Sequence, residues 1–85
     1  MQEIQANPEA PTSVFNPFNQ IFGVEFNPGG DLMVHTIKKS FAELALMLDQ
    51  YLAQKESSIP QFIYDQMLND ALKAQMMMVK AATWK

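Results

Sequence analysis

Eighty-five residues allow one domain with a modest core, and the absence of cysteine removes both disulfide staples and thiolate metal ligands. A net charge of −3, with six lysines and no arginine, argues against a DNA binder, which needs a basic face. An apolar share of 48%, including seven methionines, is more than so small a monomer readily hides, which favours contacts between subunits.

Met1 to Pro11 has neither a basic nor an apolar leader stretch, and no window approaches the roughly 18 apolar residues of a membrane span. A cytoplasmic protein without membrane contact is expected. Residues 1–13, polar with Pro8 and Pro11, read as a flexible N-terminal arm, and residues 14–85 as a single helical domain.

Phe15, Phe18, Phe22 and Phe26 recur at spacings of three and four. Asn16 can cap, Pro17 suits the first helical position and Gly23 suits a left-handed stop, which predicts a short helix of about two turns. Asn27-Pro28-Gly29-Gly30 then forms a turn. Asp31 is the natural N-cap of a long helix reaching Gln54 or Lys55. Along it Val34, Ile37, Phe41, Leu44, Leu48 and Tyr51 alternate spacings of three and four, and so form one seam that Ala45 and Leu52 widen.

Lys55 to Pro60 is a loop, and a second long helix runs from Pro60 or Gln61 to near the C-terminus. Its apolar arc is wide. One strip holds Met67, Ala71, Ala74, Met78 and Ala81, and the next holds Leu68, Leu72, Met76, Val79 and Thr83. One partner helix covers only one strip, so contacts from two or three sides are expected, by the hairpin partner and by neighbouring subunits. The expected fold is all-α: an antiparallel helical hairpin with a short N-terminal helix, assembling into a homo-oligomer.

One histidine, His35, assembles neither a Ser-His-Asp triad nor a zinc site, and there is no phosphate-binding loop or dinucleotide fingerprint. An enzyme is not expected, nor a cofactor or a bound metal. Met76-Met77-Met78 point in different directions on a helix, so apolar packing explains them better than copper binding. Trp84, close to the end, is expected either to pack against another chain or to stack on a ligand.

A local cluster points to an anion. Phe26, the Gly29-Gly30 turn, His35, Lys38, Lys39 and Ser40 place an aromatic ring, free amides and the densest positive charge near a helix start. A nucleotide phosphate would fit such a cradle. The plainer alternative has Lys38 and Lys39 as solubilising surface charges and Phe26 as a core residue.

Ile37-Lys38-Lys39-Ser40, then Ala42-Glu43-Leu44, and in the second helix Leu72-Lys73-Ala74-Gln75-Met76-Met77-Met78-Val79-Lys80-Ala81-Ala82, together resemble the phage anti-CBASS cyclic-nucleotide sponges, whose hairpin is shared with an anti-Thoeris sponge. Met78 stands where that family usually has tryptophan, and Phe26 where a tyrosine precedes the first helix. The resemblance implies non-catalytic sequestration of cyclic oligonucleotide second messengers in the host cytoplasm, for immune evasion by a phage. It also implies a compact hexamer with pockets between protomers and a cyclic di- or trinucleotide as ligand. Lys38 would then meet phosphate, Ser40 would add a hydroxyl contact and Phe26 would stack on a base. Lys80 and Thr83 would belong to a separate, larger cyclic-nucleotide pocket. The competing expectation is a small helical adaptor or structural protein that binds a partner protein through its apolar surface.

Overall fold

The structure, a computed structural model, describes residues 15–85, so the expected flexible arm of residues 1–13 lies outside the described residues. Three helices follow in order, α1 (Phe18–Ile21), α2 (Leu32–Gln54) and α3 (Gln61–Ala82), with no strand among the described residues.

α1 is one turn long, shorter than the two turns expected, although it stops at the expected Gly23: Pro17 is its N-cap and Phe22 its C-cap, so both lie outside the helix proper. Gly23 has φ 64°, the Val24 N–H donates to the Asn19 carbonyl at 2.9 Å, and the Gly23 N–H donates to Gln20 at 3.3 Å. That pair of reversed bonds closes the helix and turns Val24 back into the core. At the other end Asn16 is buried and bonded on both sides of its amide. Its Oδ1 accepts from the Phe18 N–H at 2.9 Å, and its Nδ2 donates to the Ala42 carbonyl at 3.1 Å. Asn16, just ahead of the N-cap Pro17, therefore also fastens α1 to the middle of α2.

α2 starts where its cap residue predicts. Asp31 Oδ1 accepts from the Met33 and Val34 N–H groups at 2.8 and 3.2 Å, satisfying two of the free donors of the first turn. Asp31→Ala is expected to cost about 1 kcal/mol of stability, read as a lowered urea midpoint with an unchanged slope. α2 ends at Gln54 by the same reversed-bond closure as α1, with Glu56 (φ 52°) where glycine is usual and the Ser57 N–H donating to the Leu52 carbonyl at 2.9 Å. Pro60 then precedes α3.

Phe18, Phe22, Val24, Ala42 and Ala45 form the core, with Phe41, Leu46, Leu68, Ala71 and Leu72 packed against them. The Phe22 and Phe41 rings meet at 5.9 Å between centroids. Val34 and Ile37 are buried as the seam predicts, whereas Leu44, Leu48 and Tyr51 stay exposed. The buried line of α2 passes instead through Ala42 and Ala45. Both α1 and α3 dock on α2, and close backbone approach from two sides favours small side chains.

α3 has one buried residue, Gln75, while Met76, Met77, Met78 and Trp84 are all exposed. The Gln75 Nε2 donates to the Phe22 carbonyl at 2.9 Å, so the α1 turn is held by both long helices.

Across the hairpin, the Tyr64 hydroxyl donates to Asp49 Oδ1 at 2.6 Å. Burial, and then the Asp49 bond and charge, push the Tyr64 hydroxyl up to about 12 from 10.0. The raised value means that the stability contributed by the neutral phenol is fully present below pH 10.0 and is lost as pH rises toward about 12. Denaturation midpoints measured across that window are expected to fall more steeply in the wild type than in Tyr64→Phe.

Candidate functional site

The sharp turn at Gly23 determines where the next residues go. The Phe26 N–H donates back to the Gly23 carbonyl at 2.9 Å, which folds the segment over α2. Lys38, one turn and a half into α2 by helical spacing, lies beneath it. Its Nζ donates to the Phe26 carbonyl oxygen and stands 5.4 Å from the centroid of the Phe26 ring. Phe26 is 70% exposed, so its ring is a surface element and not part of the core.

Beside this contact a groove of about 510 Å³ opens between the α1 turn, α2 and the C-terminal half of α3. Phe26 and Lys38 form one side, Met76 and Lys80 the other, and Gln75 and Val79 contribute to its lining between them. The Gln75 amide has one consistent orientation, because the Phe22 carbonyl can only accept. Lys80 Nζ is 5.8 Å from the Trp84 ring, so both ammonium groups of the groove rest against aromatic faces.

No carboxylate lines this groove. A second hollow of about 560 Å³ adjoins it and shares Gln20, Gly23 and Phe26, but it is lined by Glu25 and no lysine. The larger hollow is therefore electrostatically the poorer place for an anion. The lysine-lined groove offers two cations, an aromatic ring, an amide and an apolar wall. Those are the elements that hold a flat anionic molecule.

Phe26, Lys38 and Lys80 come together although they are far apart in the chain, and Lys80 lines the same groove as Lys38. The other expected residues lie elsewhere. Lys39 lines a small hollow with Asn16, Asn19, Glu43 and Leu46 on the α1 side of α2. His35 is half-buried and its N–H donates to the Asp31 carbonyl at 3.1 Å. Ser40 is exposed, about 160° around the helix from Lys38. Thr83 Oγ1 donates within its own helix end, to the Val79 and Lys80 carbonyls at 2.9 and 3.3 Å.

Gln75, Met76 and Val79 were missed as lining residues. A glutamine inside the apolar run from Leu72 to Val79 was the signal available, since a polar residue on a buried strip calls for a partner.

Among the described residues no group of three or more His, Asp or Glu side chains could hold a metal ion, and no helix is long and apolar enough to cross a membrane. Neither a family model, nor a curated protein, nor a solved structure matches this chain.

Proposed function

We propose that the protein sequesters a cyclic di- or trinucleotide second messenger without cleaving it, and so blocks antiphage signalling of the CBASS type in the host cytoplasm. The observation that supports this reading is the shared groove of Phe26, Lys38 and Lys80, which combines a stacking ring with two cations and no carboxylate. The resemblance of the two helices to cyclic-nucleotide sponges supplies the ligand class.

The Lys38 ammonium bonds the neutral Phe26 carbonyl. A phosphate oxygen replacing that carbonyl would form a charge-assisted bond roughly twice as strong, which releases the Phe26 segment to close over a base. Ser40, on the other side of α2, reaches such a ligand only from a neighbouring copy. The reading therefore includes a homo-oligomer, a hexamer if it follows the sponge family.

The test is calorimetric titration of the whole chain with a panel of cyclic di- and trinucleotides. Binding of at least one member is expected, with intact ligand recovered on denaturation. Lys38→Ala should weaken that binding by at least about tenfold, the loss of one charge-assisted contact. Heat from none of them would sink the sponge reading in favour of the adaptor. The exposure of Met77 at 62% and Trp84 at 73% favours that second reading, in which these two side chains dock on a partner protein.

A further inference from the structure

The hollow of about 560 Å³ beside the lysine-lined groove is bordered by two phenylalanines, Phe15 and Phe26, that the core does not use. They are 83 and 70% exposed, whereas Phe18 and Phe22 of the same run are buried. Glu25, also exposed, borders the same hollow, and so do Asn19 and Gln20. Two large rings left in water around one hollow offer a stacking surface for a flat group, and the carboxylate and amides beside them offer it hydrogen bonds.

We infer that this hollow is a subsite for guanine. Glu25 accepts from the N1–H and the 2-amino group of the base, Phe15 and Phe26 stack on it, and the attached phosphate lies in the adjoining groove on Lys38 and Lys80. The inference rests on the proposed function for the nucleotide and adds to it which base is taken.

The choice of base follows from donors and acceptors. An ionised carboxylate has two acceptor oxygens and no donor. On its pairing edge guanine sets two N–H donors side by side. Adenine and cytosine set an amino group beside a ring nitrogen that accepts, so a carboxylate meets one donor and one lone pair. Uracil has a single N–H between two carbonyls. Bonds to a charged acceptor are roughly twice as strong as neutral ones, so the second donor of guanine counts heavily. The Asn19 or Gln20 amide supplies the donor that the guanine carbonyl oxygen requires.

The division of charge fixes the direction of the nucleotide. Lys38 and Lys80 line the groove, and Glu25 lines the hollow. Glu25 repels a phosphate placed beside it, so the base enters the hollow and the phosphate stays with the lysines. The two spaces share Gln20, Gly23 and Phe26. Gly23 keeps their junction low, since a Cβ there would stand 4.0 Å from both Lys38 Nζ and Phe26 Cβ.

The test is a nuclear magnetic resonance titration of the whole chain with guanosine, inosine and adenosine 5′-monophosphates at up to millimolar concentration. Inosine lacks only the 2-amino group. Guanosine monophosphate is expected to shift the Phe15, Glu25 and Phe26 amide signals and to bind about tenfold more tightly than inosine monophosphate, the loss of one charge-assisted bond. Glu25→Ala, a change at an exposed side chain, should keep the helicity and bring guanosine down to the level of inosine. Asp70→Ala, exposed on α3 and outside both spaces, should leave the preference unchanged. Equal binding of the three nucleotides, no binding of any, or a preference that survives Glu25→Ala overturns the inference. Free arginine offers the same pair of N–H donors without a phosphate, and its binding as tightly as guanosine monophosphate would overturn it too. A cyclic oligonucleotide that binds without regard to guanine sinks this inference and leaves the sponge reading standing. A guanine preference among mononucleotides, with no cyclic binder, does the reverse.

Discussion

Phe22→Ala is expected to lower the unfolding free energy by about 3–5 kcal/mol, measured by urea denaturation and helical circular dichroism. Phe22 is 2% exposed and is the largest side chain the fold encloses completely. It joins the α1 turn to Phe41 on α2 within the main core cluster. Removing the ring deletes contacts to more than one element, and the short α1 cannot slide inward to fill the space, because Asn16 and Gln75 fix both sides of it. A domain of this size carries about 0.1 kcal/mol per residue, so the change consumes around half of the total. Phe26→Ala, four residues later, removes an exposed ring and is expected to stay within about 0.5 kcal/mol of wild type. The contrast separates a ring that builds the fold from one that faces outward.

Gln75→Ala is expected to cost about 1–3 kcal/mol, because it leaves the Phe22 carbonyl buried without its donor. The more telling replacement is Gln75→Glu. The shape is kept, but at neutral pH a carboxylate faces a carbonyl oxygen that can only accept. Burial and the missing donor would hold the introduced carboxyl above the usual carboxylate range, so its protonated form would donate to Phe22 and restore the bond. With the folded value raised, the stabilising contribution is present at low pH and lost as pH rises. Urea midpoints at about pH 4 and pH 7 should therefore show Gln75→Glu recovering toward wild type on acidification, while Gln75→Ala shows no such recovery.

The helix ends were legible because caps are local chemistry. Asp31, Gly23 and Pro60 each act through atoms within a few residues, and each marks its boundary in the structure. The length of α1 was overestimated although its stop at Gly23 was placed correctly, because Pro17 and Phe22 stand at its two caps and not inside it. The seam of α2 was legible as a stripe but not as a line within that stripe. Ala45 was read as widening the seam, whereas Ala42, with almost no hydropathic signal, was not, yet both are buried because they admit two neighbours closely.

The candidate site divides in the same way. Phe26 and Lys38 stand out as an aromatic beside a cluster of positive charge. Gln75 does not, because the partner that explains it lies 53 residues away. Its role depends on how α1 folds back, which no local pattern encodes.

The short loop after α2 has a consequence for the order of events in folding. α2 and α3 are joined by six residues, so their pairing closes a small loop and needs no other part of the chain. The α1 segment is fastened by bonds spanning 26 and 53 residues, and it adds only one helical turn of its own. It should therefore dock last and detach first, while the hairpin stays paired. The groove loses one wall each time this happens, since Phe22 and Phe26 belong to that segment. A molecule held there would keep α1 in place, and its presence would be recorded as slowed amide exchange at Val24 and Phe26.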